Sequence, residues 1–112
     1  EHEQAVESYQ KTIELSKKDV RPHSPFLHAY DNLGSVLISL GRFQEAIAIY
    51  DEVILMEPHH ALAYRGKGLA LSQLRQDLQA IEYFDKAVEL DPDDADVYLY
   101  KGISLLRLEE YR

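Results

Sequence analysis

Apolar residues recur at helical spacing along this chain, in stretches that short polar breaks separate. Over residues 25–40 they fall on one side of a helix, and Gly41 and Arg42 then interrupt the pattern. A second amphipathic stretch follows, and the alternation returns after Pro58 and again after Pro92. The pattern predicts opening helices over 25–40, 59–74 and 93–108, a partner helix after each of the first two, and each proline at the start of the following helix.

This alternation repeats with a fixed step of 34 residues. The residues that share the step are Tyr30, Tyr64 and Tyr98; Gly34, Gly68 and Gly102; Leu37, Leu71 and Leu105; and Pro58 and Pro92. A constant step of this length indicates one supersecondary unit copied along the chain. We expect the small residues to let paired helices approach closely, while aromatic rings fill the space between neighbours.

The residues before 25 match the second half of a unit, but at a step of 41. Those that align are Ala5, Tyr9 and Ile13 with Ala46, Tyr50 and Ile54. We interpret the seven extra residues as a longer first helix that reaches about Asp19, with an enlarged loop over residues 16–24 as the alternative. The expected organisation is one domain: 1–24 as a preceding second helix plus connection, 25–58 and 59–92 as whole repeats, and 93–112 as the first helix of a truncated repeat. Both ends are expected to be cut from a longer array.

Each copy resembles the tetratricopeptide repeat, whose pattern is Trp-x2-Leu-Gly-x2-Tyr, Ala-x3-Phe and Pro over 34 residues. The copies read Tyr30-x2-Leu33-Gly34-x2-Leu37, Ala46-x3-Tyr50, Pro58; Tyr64-x2-Lys67-Gly68-x2-Leu71, Ala80-x3-Phe84, Pro92; and Tyr98-x2-Lys101-Gly102-x2-Leu105. Tyrosine replaces tryptophan, leucine replaces tyrosine, and lysine twice stands where leucine is usual. The resemblance implies an all-α fold, a right-handed superhelical stack of antiparallel helix pairs. It also implies that the first helix of each pair lines a concave groove that binds a protein or peptide.

Composition narrows the function classes further. The net charge is −8, and no basic patch is hidden in any segment, so we expect no nucleic-acid partner. No apolar run approaches the ~20 residues that span a bilayer, so we expect no membrane partner. The sequence contains no cysteine, which excludes disulfides and thiolate chemistry and fits a cytoplasmic protein.

We find no pattern that indicates catalysis, a cofactor or a metal. His59 and His60 lie together in a turn between repeats, and we expect them to be solvated. No histidine has the spacing of a zinc-binding helix, and Gly66-Lys67-Gly68 lacks the flanking residues of a phosphate loop. The acidic run 91–96 is best explained as a helix cap. The chain is therefore not expected to be an enzyme.

The candidate site is the variable face of the opening helices. Its residues lie in the phase of the groove and escape the rule that fixes tyrosine, glycine and leucine in each copy. They are His28, Asp31, Asn32, Ser35, Leu62, Arg65, Leu69, Leu99, Tyr100 and Ile103. Gly66 is expected to leave room for a ligand backbone. This face runs from polar in the first copy to apolar in the third.

The resemblance also limits the ligand. Members that bind acidic chaperone tails use a carboxylate clamp of lysine and asparagine, whereas Asp31 and Ser35 stand at those positions here. We therefore expect a mixed peptide with an apolar segment and one acidic group for Arg65.

Three alternatives to an interaction module remain open. The chain could be a regulatory or targeting arm of a larger enzyme whose catalytic domain lies outside it, a structural spacer, or a divergent RNA-binding repeat. The last predicted helix is apolar almost all round, which predicts that a second copy covers it in a homodimer.

Overall fold

The structure is a computed structural model that describes residues 2–16 and 27–110. Within these ranges the chain forms six helices and no strand, which confirms the predicted all-α stack. The helices are α1 (His2–Ser16), α2 (Leu27–Ser39), α3 (Phe43–Met56), α4 (Ala61–Gln73), α5 (Asp77–Leu90) and α6 (Ala95–Glu110). The sequence left two interpretations open, a first helix that reaches about Asp19 or an enlarged loop over residues 16–24. Residues 17–26, where the two interpretations differ, lie outside the described residues.

The two prolines do not begin helices as the sequence pattern suggested. After Pro58, the backbone N–H of His60 donates to the carbonyl of Glu57 at 3.1 Å, and α4 begins only at Ala61. The equivalent bond joins Asp94 to Asp91 at 3.4 Å before α6. Each proline is the second residue of a tight turn, where its fixed φ is also favourable.

The helices stack in two layers. Each helix packs against its neighbours in sequence, and α4 also contacts both α2 and α6. Among the described residues, α1, α3 and α5 make no Cα–Cα approach within 8 Å of one another. Neighbours lie closer on the inner side of a curved stack, so α2, α4 and α6 form the concave layer. The stack is elongated, with extents of 46 × 29 × 19 Å.

The described core consists of two apolar clusters that meet at Ile47 and Ile54 of α3. One lies among α1 to α4 around Leu33 and Val53, which are fully buried, and the other lies around Phe84 between α4, α5 and α6. Each cluster contains residues from more than one helix pair, so a single helix pair does not bury its own apolar side chains. This is the energetic reason that such units stack.

Glycines mark the closest helix approaches. A Cβ added to Gly34 would lie 2.5 Å from the Tyr50 ring, and one added to Gly68 would lie 2.6 Å from the Phe84 ring. This agrees with the expectation that small residues allow a close approach of paired helices and that aromatic rings fill the space between them. The interpretation of Gly66 was wrong, because a Cβ there would lie 2.2 Å from Tyr50. Gly66 makes room for the protein's own ring and not for a ligand.

Ion pairs at the 34-residue step tie successive helix pairs together. Lys67 Nζ lies 2.6 Å from Asp51 and donates to the Tyr83 hydroxyl at 2.9 Å, while Lys101 Nζ lies 2.5 Å from Asp85. Each lysine thus replaces the usual leucine with a bond to the preceding second helix. Lys67 also lies 4.3 Å from the centre of the Tyr83 ring, a cation–π contact.

Candidate partner-binding groove

The concave layer contains a cavity of about 360 Å³ between α2, α4 and α6. It brings together most of the residues that the sequence nominated, namely Asp31, Asn32, Ser35, Leu62, Arg65, Leu69 and Tyr100. Ile38, Ser39 and Tyr50 also line it and were missed, because the repeat pattern places them on structural positions or at the end of a helix. Gly66 contributes backbone to the lining. We call this cavity the inner groove.

The remaining nominated residues lie elsewhere. His28 is exposed on α2 and is not part of the groove lining as the described residues define it. Leu99 and Ile103 lie on a different, apolar side of α6. The structure therefore does not bring all ten residues into one site.

Asp31 and His60 form a hydrogen-bonded pair at the α2 side of the inner groove. His60 Nε2 lies 2.8 Å from Asp31 Oδ2, and the two side chains are 24% and 17% exposed. The hydrogen bond to Asp31 raises the pKa of His60 above its ordinary value, and burial opposes this only in part. The expectation of a solvated histidine was wrong at this position, because the turn folds back over α2. His59 is exposed, as expected.

Arg65 and Asp94 form the corresponding pair one repeat later. Arg65 Nη1 donates to Asp94 Oδ2 at 2.8 Å. Asp31 and Arg65 are 34 residues apart, as are His60 and Asp94, so the same two positions pair in both copies with the charges exchanged. The sequence predicts Arg65 as a cation available to a ligand, whereas Asp94 already binds it.

One carboxylate oxygen of the first pair has no partner. Asp31 Oδ1 is buried and makes no hydrogen bond within the described structure, while Oδ2 alone bonds His60. A carboxylate accepts about four hydrogen bonds when ionised, and a buried acceptor left without a donor costs about 1–3 kcal/mol. The polar end of the inner groove is therefore short of donors.

Aromatic rings form the apolar part of the groove. Tyr50 is buried between Gly34 and Gly66, and burial together with the nearby charge of Asp31 raises its pKa to about 12. Its hydroxyl therefore stays protonated at neutral pH. Tyr100 packs against Phe84 with ring centres 6.1 Å apart, and it closes the α6 side beside Leu69. The groove thus runs from Asp31 of α2, with Tyr50 near it, to Tyr100 of α6.

Comparison with known protein families decides the class. A profile described as Tetratricopeptide repeat matches residues 32–95, more than half of the chain, and a second profile with the same description matches residues 83–112. The chain belongs to the tetratricopeptide repeat family. No curated protein sequence matches it significantly.

Several solved structures share the fold of this tetratricopeptide repeat chain. The first repeat domain of Spaghetti (RPAP3), bound to the HSP90 peptide SRMEEVD, superposes with a TM-score of 0.84 at 17% identity, with 96% of this chain and 80% of that chain covered. That likeness shows the fold. MamA from Desulfovibrio magneticus RS-1 gives 0.82 at 26% identity, with 96% and 57% covered. YrrB, a tetratricopeptide repeat protein with an unusual peptide-binding site, gives 0.76 at 27%, with 93% and 50% covered. This chain thus spans about half the length of the last two.

A second surface of the tetratricopeptide repeat stack is apolar and lies on α6. Tyr98, Leu99, Ile103, Leu105 and Leu106 are between 42% and 61% exposed there. Gly102 lies at the centre of this surface, and a Cβ added to it would meet no described atom within 4 Å. At the equivalent Gly34 and Gly68, an aromatic ring of the following helix fills the space. We call this surface the α6 face.

The described ranges contain no group of three or more histidine, cysteine, aspartate or glutamate side chains that could hold a metal ion. In those ranges no helix combines the length and apolar character needed to cross a membrane.

Proposed function

We propose that this chain is a protein–protein interaction module, a scaffold or adaptor segment, that binds an extended segment of a partner in the inner groove. The observation that carries the proposal is the groove itself. Three inner helices enclose a cavity with a polar side at Asp31, Asn32 and Ser35 and an apolar side at Leu69 and Tyr100. Sites of this kind combine apolar anchors with a few orienting polar groups. The related domain of Spaghetti holds a peptide, which supports the same use here.

The groove offers two kinds of contact. Leu62 is 42% exposed and Tyr100 half-buried, so both can lose further surface to a ligand. Such aromatic and aliphatic residues supply the anchor that usually dominates interface energy. The exposed Asn32 and Ser35 can bond a ligand backbone. The predicted His28 belongs to the proposal as a flanking contact for a longer segment, whereas Leu99 and Ile103 lie on the α6 face and belong to the proposed homodimer contact.

The proposal includes the boundaries drawn from the sequence and a cytoplasmic setting. Residues 25–58 and 59–92 are two whole repeats, with 1–24 and 93–112 as parts of neighbouring ones. The equivalent turns at Pro58 and Pro92 support this division. It also includes a homodimer formed through the α6 face, which its exposed leucines support.

A phage-displayed library of random peptides, about twelve residues long, tests the binding site. The library is selected on the 1–112 chain, and the selected peptides are measured against variants. Ser35→Trp fills the groove mouth from an exposed position, and we expect it to abolish binding without lowering the melting temperature. Leu62→Ala should weaken binding by about 1–3 kcal/mol.

Glu82→Ala provides the matched control, because Glu82 is exposed on α5 in the outer layer. It should leave peptide binding unchanged. Peptides that bind Ser35→Trp normally but lose affinity for Glu82→Ala would place the working surface on the outer layer and overturn the proposal.

A further inference from the structure

We propose that the partner segment carries a cationic side chain, lysine or arginine, that binds at Asp31, with apolar residues directed toward Tyr100. The inference rests on the proposed function and names the ligand chemistry of the same groove. It follows from how the charges of the groove are already paired.

One oxygen of the Asp31 carboxylate lacks a hydrogen-bond donor. His60 satisfies Oδ2 at 2.8 Å, and Oδ1 remains without a donor in the described structure. The Asp31 side chain is 17% exposed and lies in the groove lining, so a rotation of this side chain would bring the buried second oxygen to a ligand. Lysine and arginine donate several N–H bonds, and bonds between ionised groups are about twice as strong as neutral ones.

Arg65 is already paired with Asp94. A ligand carboxylate would have to displace Asp94 from Arg65, where the two atoms lie 2.8 Å apart and the Asp94 side chain is 14% exposed. Such an exchange replaces one carboxylate with another and gains little. Arg65 and Asp94 already satisfy each other's charge, whereas His60 leaves one oxygen of the Asp31 carboxylate without a donor, so Asp31 is the group of the groove that can still take a cation. The chain's net charge of −8 also attracts a cationic ligand over longer distances.

The groove offers apolar surface on either side of a bound segment. Tyr50 lies near Asp31, and Leu62 belongs to the same lining, so both can offer apolar surface to the methylene stem of a long cationic side chain. Leu69 and Tyr100 lie toward α6 and suit an apolar residue of the same segment. The ligand direction is then fixed, with its cation at α2 and its apolar residue at α6.

The peptide library described above tests this inference when it is selected in parallel on the unmodified chain, on Asp31→Asn and on Glu82→Gln. Lysine or arginine should be enriched at one fixed distance from an apolar residue on the unmodified chain and on Glu82→Gln. That enrichment should disappear on Asp31→Asn. A synthetic peptide from the first selection should bind Asp31→Asn roughly tenfold or more weakly, the loss expected for one charge-assisted bond.

A peptide in which norleucine replaces the selected cation completes the test. It should bind the unmodified chain at least about tenfold more weakly, and Asp31→Asn should not weaken it further. This measurement decides the question on the unmodified chain even if Asp31→Asn does not fold.

Peptides that Ser35→Trp blocks but that lack a cation, or that carry aspartate or glutamate instead, would overturn this inference and leave the proposed function intact. A selection that yields no peptide, or only peptides that still bind Ser35→Trp, would overturn both.

Discussion

Gly68 and Gly102 occupy the same position in the 34-residue step, but they face different surroundings. A Cβ on Gly68 would lie 2.6 Å from Phe84, whose side chain is fully buried, whereas a Cβ on Gly102 would meet no described atom within 4 Å. Gly68→Ala should therefore destabilise the fold by about 1–3 kcal/mol through overpacking. Gly102→Ala should stabilise it by up to about 1 kcal/mol through helix propensity. Urea denaturation of both variants measures the difference, and equal shifts would contradict the proposed packing.

His60 gives the stability of the chain a pH dependence. Its pKa is raised in the folded state by the hydrogen bond to Asp31, and Asp31 and Glu57 are the charges that act on it. A raised pKa means that this contribution is complete below about pH 6.5, the usual histidine value, and is lost as the pH rises through the folded value. The urea midpoint of the unmodified chain should exceed that of His60→Gln by more at pH 5.5 than at pH 8.5. A difference that is constant, or that grows with pH, would show that the pair does not titrate as the structure indicates.

The two groove pairs show what the sequence could and could not predict. The 34-residue step identified Gly34 and Gly68 as packing positions, because identical residues at one phase indicate a shared packing need. The step did not identify the pair of His60 with Asp31 or the pair of Arg65 with Asp94, because each pair joins an inner helix to the turn that precedes the next inner helix. That contact depends on how far the turn folds back, which no period encodes. The available signal was that the acidic and basic residues at positions 31 and 60 are interchanged at the equivalent positions 65 and 94.

At the scale of helices, Arg107 connects α6 to the end of α4 and the start of α5. Its guanidinium donates to Asp77 at 2.7 Å and to the Ser72 carbonyl at 3.0 Å, and it also bonds the Ser72 hydroxyl. Asp77 is 7% exposed. Burial alone would raise the pKa of Asp77, but hydrogen bonds from Arg107 and Ser104 outweigh it and lower the pKa. The carboxylate is therefore ionised and depends on its partner.

Removal of that partner should loosen α6. Arg107→Leu leaves Asp77 buried and unpaired, and we expect a loss of about 3 kcal/mol in the free energy of unfolding. Lys86→Leu on α5 is the control, since its contact with Glu89 is 3.8 Å long and both groups are largely exposed, so its loss should stay below about 1 kcal/mol. Hydrogen exchange should show faster exchange in α6 for Arg107→Leu alone. Similar exchange in the two variants would mean that apolar packing, and not this pair, holds α6.

Helix boundaries illustrate the limits of prediction at the same scale. The breaks at Gly41 and Arg75 were located because each ends a periodic stretch, and both residues adopt positive φ, 75° and 64°. The starts of α4 and α6 were placed two residues too early. Proline is favourable both at the start of a helix and as the second residue of a turn, so composition could not separate the two.

At the scale of the whole molecule, the α6 face predicts association. Leu99 and Leu106 are 59% and 61% exposed among other apolar side chains, and contiguous apolar surface of this kind marks an interaction site. The 1–112 chain should therefore form a dimer or larger species in light scattering at micromolar concentration. The double variant Leu99→Glu, Leu106→Glu should be monomeric, because a pair of charges cannot be buried in such an interface at low cost. Leu55→Glu is the matched control: Leu55 is 84% exposed on α3, away from α6, so this variant should associate like the unmodified chain. A monomeric unmodified chain would show that the α6 face does not bind a second copy, and association that survives the double variant would place the contact elsewhere on the stack.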